Sequence, residues 1–400
     1  MGDGGFSEAG LERMRAAMAA HVERGDLPGV VTLVSRGGEA HADAVGKMAF
    51  GDAGPVQRDT LFRIASVTKP IAGAAAMMLV EDGTLRLDEP VDSLLPELAN
   101  RRVLRALDGP VDDTEPARRP ILVSDLLTLR MGIGAIMAPG DYPIAQAMMD
   151  RGVAAGPQLP DAPSADAWLQ NLGSLPLMHH PGEAWMYDTS LTVLGALIAR
   201  ASGLPLEAFL RERVFEPLRM KDTGFTVPAD KLHRLPVCYV RNPRTGQLDV
   251  FDPAGRESQF SRAPGFPSAA GGLVSTADDV LAFARMMLNR GEHGGKRLLS
   301  ARSVELMAAD HIPLAQKAIS PFSPGFWESR GWGYALSIVT RSRPGEPRGL
   351  GWDGGYGTSC YWDPETGVIG VLMTQRLMDS PSAPPVFVDF WRSTYDAAGA

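Results

Sequence analysis

The stretch LFRIASVTKPIAGAAAMMLVEDG, residues 61–83, decides the reading of this chain. From Ala72 to Val80 it is rich in strong helix formers, and Gly83 suits a C-terminal stop. Pro70 suits a first helical turn, where its missing N–H costs little. The helix is expected to begin at Ser66 or Val67, which puts Ser66 at its N-terminus. Ser66 and Lys69 stand three positions apart, so a helix presents both side chains on one face. A serine hydroxyl is a weak nucleophile and needs an adjacent base. A lysine amine is a base only if its pKa falls, and apolar burial can lower it. The apolar helix predicts burial for Lys69. Backbone N–H groups and the positive dipole end at the same helix start could hold an oxyanion. The plainer alternative is an N-cap serine followed by a surface lysine.

Upstream, Leu11, Met14, Met18, His21 and Val22 carry helical spacing over residues 7–23. Residues 30–35 and 40–50 read as strands joined at Gly37-Gly38. Downstream, residues 81–259 read as helical or irregular, with helices over 124–129, 165–172, 191–201 and 206–214 and no strand pair before Val237. A helix over 277–288 is capped at Ser275 or Thr276. Strands follow over 333–339, 358–362 and 367–374, and a last helix over 383–395. The simplest assembly is an α/β (α+β) fold, an antiparallel sheet flanked by helices. Residues 1–80 and 268–400 form its α/β domain, and residues 81–267 form a mainly helical insert. The active site is expected between the two, with the loops of residues 131–163 shaping the pocket.

Two further segments carry chemistry. In PGEAWMYDTS, residues 181–190, a Pro-Gly turn brings Tyr187 just ahead of a helix, where its phenol could exchange a proton with Ser66. In GWDGGYGT, residues 351–358, glycines at a strand start let backbone approach a ligand closely, and one N–H could complete an oxyanion hole. Taken alone, each also reads blandly, as a half-buried aromatic and a glycine-rich turn.

The bulk numbers bound the function. The chain's 400 residues suffice for two lobes, and 44% apolar with 22% charged residues is ordinary for a globular protein. A net charge of −8 with no Lys/Arg cluster argues against a nucleic-acid partner. Two cysteines, Cys238 and Cys360, fit a reducing compartment, and the N-terminus shows no basic-then-apolar leader. The longest apolar run, residues 71–80, is too short to span a bilayer. The expectation is a cytoplasmic protein with no membrane partner. No Walker-type loop or dinucleotide fingerprint appears, so no cofactor is implied. His179 and His180 are adjacent in an extended segment and point apart, with no H-E-x-x-H nearby, so no metal site is expected. No G-x-S-x-G elbow is present.

In this order, LFRIASVTKP, PGEAWMYDTS, SAAGGLVSTADDVLAFARMML (residues 268–288) and GWDGGYGTSCYWDPETGVIGVLMTQ (residues 351–375) resemble the class C β-lactamase and penicillin-binding-protein superfamily of serine hydrolases. The nearest likeness is to family VIII carboxylesterases. The resemblance implies an acyl-enzyme on Ser66, Lys69 as partner base and Tyr187 as second base. It implies an oxyanion hole from the N–H groups of Ser66 and Gly355, and Trp352, Asp353, Gly354 and Thr189 on the substrate side. Two departures stand out. Trp352 occupies a place where lactamases carry lysine, which removes a charge-assisted contact worth about 1.5–3 kcal/mol to an anionic lactam. Thr189 stands where asparagine is usual, after Asp188. Asp353 could orient a substrate amine but is expected to face solvent. The implied substrate is a small neutral ester with short acyl chain, with faint β-lactam turnover. An amidase, D-aminopeptidase, β-lactamase or acyltransferase on the same scaffold, or a silent ligand-binding relative, remains open.

Overall fold

The computed structural model describes residues 5–51, 53–154 and 162–400. Part of the expected pocket-shaping loop, residues 155–161, lies outside them.

A seven-stranded antiparallel sheet is built from β1 (Gly29–Arg36), β2 (Glu39–Gly46), β3 (Arg330–Trp332), β4 (Ser337–Val339), β5 (Leu350–Gly354), β6 (Thr358–Trp362) and β7 (Ile369–Thr374). Their order is β3-β4-β5-β6-β7-β1-β2, so the N-terminal hairpin docks on the last strand, Val30 opposite Thr374 and Ser35 opposite Ile369. Gly37 and Gly38 both hold positive φ, the two-residue turn that matches strand twist and is open to glycine. The longer helices are α1 (Glu8–Glu23), α2 (Thr68–Glu81), α3 (Thr189–Ser202), α4 (Ala277–Leu288) and α5 (Pro385–Ala398); α1, α2, α4 and α5 frame the sheet, and α3 packs against α2.

Side chains alternate across a strand, and the two faces feed separate cores. Val30, Val34, Tyr361 and Leu372 pack with Met14 and Met18 of α1 and with Phe387, Phe390 and Trp391 of α5. Val31, Leu33, Trp362, Val371 and Met373 join the larger core with α2 and with Phe283 and Met287 of α4. Strands buried on both faces show no polar alternation, which is why β1 and β7 read as continuous apolar runs.

The structure departs from the expected elements in three places. The expected strand over 333–339 is a hairpin, β3 and β4, turning where Gly333 N–H reaches the Leu336 carbonyl at 2.9 Å. The glycine-bearing segment at 350–354, expected as a turn entering a strand, is itself strand β5, paired on both sides despite Gly351 and Gly354. A strand pair does occur before Val237, Arg102–Leu104 with Thr114–Pro116, too short to leave a readable period. A further pair, Cys238–Arg241 with Leu248–Asp252, bonds to the end of β7 through Tyr239 N–H to the Gln375 carbonyl at 2.9 Å. Both cysteines are buried and free. Among the described residues no single helix is long and apolar enough to cross a membrane.

Candidate active site

Ser66 sits in a 3-10 turn, Ala65–Val67, that leads directly into α2. Several bonds hold the turn. Phe62–Arg63 pairs with Val274–Ser275, Ile64 N–H bonds the Leu273 carbonyl at 3.0 Å, and Thr358 of β6 donates to the Ile64 carbonyl at 3.0 Å. Ala65 is held at φ +44°, a left-handed conformation that a side-chain-bearing residue adopts at a cost of about 1–3 kcal/mol. This turn raises the Ser66 hydroxyl into a cavity of about 280 Å³.

Two groups meet Ser66 Oγ. Lys69 Nζ donates to it at 2.8 Å and the Tyr187 hydroxyl at 2.7 Å. Tyr187 comes from a different part of the chain, fixed by Met186 N–H to the Leu129 carbonyl at 2.8 Å and by a bond from Ala135 N–H to its own carbonyl. Trp352 of β5 donates its indole N–H to the Tyr187 oxygen at 2.8 Å. The Lys69 ammonium also lies 4.4 Å from the Tyr187 ring centroid.

Lys69 is wholly buried, and each of its three N–H donors has an acceptor: Ser66 Oγ, Asp188 Oδ2 at 2.8 Å and the Ala270 carbonyl at 2.5 Å. This overturns the expectation of a lowered lysine pKa. Burial alone would push it down, but the Asp188 carboxylate and Tyr187 outweigh burial and hold it above the ordinary value. Tyr187 is also raised, chiefly by burial, against the pull of Lys69. At rest the cluster is therefore an ammonium, a carboxylate and a phenol around one hydroxyl.

The remaining expected residues separate. Gly355 lines the cavity with Ser66, and Trp352 forms part of its wall. Gly354 does not line it: a Cβ built there would lie 2.3 Å from the Ile64 carbonyl oxygen, so this glycine lets β5 press against the Ser66 turn. Thr189 does not reach it either. As first residue of α3 it is buried, and its hydroxyl has no partner. Asp188, one place earlier, takes the position at Lys69. Asp353 does not face open solvent: it accepts from Ser359 at 2.6 Å and Tyr361 at 3.4 Å beneath the sheet, on the α5 side, and borders the cavity. Burial raises its pKa against those hydroxyls and Arg330. His180 meets Glu115 at 3.2 Å, and no group of three or more His, Cys, Asp or Glu suited to a metal ion occurs among the described residues.

Sequence reasoning missed the aromatic box behind Tyr187. Trp185, Phe322 and Trp352 have ring centroids 5.8, 5.1 and 5.9 Å from its ring, with Phe326 and Trp332 behind them. The density of aromatics in PFSPGFWESRGWG, residues 321–333, was an available signal. It also missed the Asp188–Lys69 pair, although a buried lysine demands a partner.

A family model described as Beta-lactamase matches residues 14–385. The chain is 40% identical over 379 residues to Protein Rv1367c of Mycobacterium tuberculosis, covering 92% of this chain and 91% of that protein. It is 31% identical over 377 residues to Esterase EstB of Burkholderia gladioli, covering 90% and 88%. The solved structure of EstCE1, described as a hydrolase with promiscuous acyltransferase activity, superposes with a TM-score of 0.81 at 23% identity, over 97% of this chain and 99% of that one.

Proposed function

The chain belongs to the beta-lactamase family of serine hydrolases, and from that premise we propose that it is a carboxylesterase that acylates Ser66 with small, neutral acyl esters. One observation carries the reading. The cavity that holds Ser66 is walled by Met137, Phe322, Trp352, Leu377 and Met378, with no Lys or Arg among its described lining residues, and Lys69 behind Ser66 is already paired with Asp188. An anionic lactam would find no unpaired cation there, whereas an uncharged ester loses little on entry. The likeness to EstB supports the same reading.

In this proposal the working form of the cluster is one proton poorer than the resting one, with either Lys69 as amine or Tyr187 as phenolate. Ser66 Oγ attacks the ester carbonyl carbon while its proton moves to that vacant base. The carbonyl oxygen becomes an oxyanion between the N–H groups of Ser66 and Gly355. The C–O bond to the alcohol then breaks, and the same proton passes to the departing alkoxide. Water enters, gives a proton to the base, attacks the acyl carbon and releases the acid, and the proton returns to Ser66. The enzyme needs no cofactor in this scheme, and a cytoplasmic setting suits its two free thiols.

Mass spectrometry after brief exposure to p-nitrophenyl butyrate is expected to show one butyryl adduct on the Ser66 peptide. Ser66→Ala should show no adduct and no turnover. Lys69→Ala and Tyr187→Phe should each lose about 10²–10⁴ in rate. Faster turnover of a D-amino-acid amide than of the butyrate ester would overturn the ester reading.

A further inference from the structure

We propose that Asp188 is a positioning residue that, through its ion pair with Lys69, sets the pH at which the Ser66 cluster becomes competent. The inference rests on the hydrolase reading above and concerns the residue that follows Tyr187. Asp188 Oδ2 lies 2.8 Å from Lys69 Nζ, and the carboxylate's side chain is only 11% exposed while the lysine's is fully buried. An ion pair so enclosed is weakly screened by solvent.

The groups facing Lys69 can be enumerated by segment. Its own turn supplies the Ser66 hydroxyl. The stretch before α3 supplies the Tyr187 phenol and the Asp188 carboxylate. The segment before α4 supplies only the Ala270 carbonyl. β5 supplies the uncharged Trp352, acting through Tyr187, while its Asp353 bonds to Ser359 and Tyr361 on the other side of the sheet. Among the described residues, Asp188 is thus the one formal negative charge in contact with the ammonium.

With Asp188 ionised, the resting cluster of carboxylate, ammonium, phenol and hydroxyl is neutral overall. Activation removes one proton to solvent and leaves a net charge of −1. An amide in place of the carboxylate would make the resting cluster +1 and the working cluster neutral. Losing a proton from a neutral buried cluster is harder than losing one from a cationic cluster, so the carboxylate moves activation to higher pH. The raised pKa of Lys69 has the same sign. Asp188 at the same time supplies the acceptor that aims Lys69 Nζ at Ser66, so its loss should lower the rate as well. The rate alone does not distinguish a charge-setting role from a merely structural one, but the position of the acidic limb does.

The test is the pH profile of kcat/KM for p-nitrophenyl butyrate, with the rate of Ser66 labelling by a fluorophosphonate as a second readout that involves no deacylation. Asp188→Asn, nearly isosteric, is expected to shift the acidic limb of both profiles to lower pH by about one unit or more. Asp188→Glu should return the limb toward the wild-type position. An acidic limb unmoved in an active Asp188→Asn, or one shifted down by about a unit or more in an Asp188→Glu that keeps the charge, overturns the assignment and leaves the hydrolase reading standing. A wild-type protein that neither turns over esters nor takes up the fluorophosphonate at any pH overturns both.

Discussion

At the residue scale, Trp352 does two jobs that its sequence position did not separate. Its ring walls the cavity, as an apolar replacement for a cation would, and its indole N–H anchors the Tyr187 oxygen at 2.8 Å. Replacing it distinguishes the two. Trp352→Phe keeps the wall and loses the donor, and should lower kcat/KM for butyrate esters by about tenfold, the worth of one net hydrogen bond. Trp352→Lys adds a cation to a pocket with no Lys or Arg among its described lining residues, and should raise reactivity toward anionic lactams relative to esters. An unchanged ratio in parallel assays would remove Trp352 from selectivity. The same scale shows where sequence reading stopped. Ser66, Lys69 and Tyr187 were visible as residue types with known chemistry, whereas Lys69's acceptor was not, because Asp188 lies 119 positions further along and meets it only once the chain folds back.

At the element scale, the site depends on how closely β5 approaches the Ser66 turn. Gly354 has no room for a methyl group: its Cβ would fall 2.2 Å from Thr358 Oγ1 and 2.3 Å from the Ile64 carbonyl. The second contact is with backbone, which cannot swing aside. Gly354→Ala should therefore push the strand from the turn and cost about 10² in kcat/KM with the fold retained, as judged by circular dichroism beside kinetics. A second device braces the same turn. Arg63, just before it, donates through Nε to Asp252 at 2.6 Å and through Nη1 to the Pro236 carbonyl at 2.8 Å, and both members of the ion pair are buried. Asp252→Ala leaves an uncompensated buried guanidinium and should destabilise the protein by about 3–5 kcal/mol, measurable by urea unfolding. α2, α4 and α5 lie within a few residues of the expected bounds, because their apolar faces and Thr276's cap onto Asp279 are local signals. β3, β5 and the pair at 102–116 were not legible. They are short or glycine-bearing, and their stability comes from neighbours distant in sequence.

At the scale of the whole molecule, chemistry and stability are divided between the two faces of one sheet. Tyr187, Trp352 and α2 belong to one core, while α1 and α5 close the other face. Trp391 of α5 lies flush on Gly370 and donates to Ser359 at 3.1 Å, in the core on the other face of the sheet from Tyr187 and Trp352. Trp391→Ala should lower unfolding free energy by about 3–5 kcal/mol while the folded fraction keeps wild-type kcat/KM. Equal loss of specific activity and stability would refute that separation. The N- and C-terminal helices also bond directly, Ser7 N–H to the Ala397 carbonyl at 2.9 Å, so both chain ends contribute to this layer.

By itself the sequence determined the helix that carries Lys69 with Ser66 just ahead of it, the antiparallel α/β class and the family likeness, because these rest on local propensity, side-chain chemistry and short spacings. Only the tertiary structure decided the charge state of the cluster. A buried amine titrates according to what surrounds it, and here a carboxylate from the segment before α3 reverses the effect that burial alone would have. It likewise decided that Asp188 and not Thr189 faces Lys69, since which of two consecutive side chains points inward depends on the backbone path between anchors at 135 and 191.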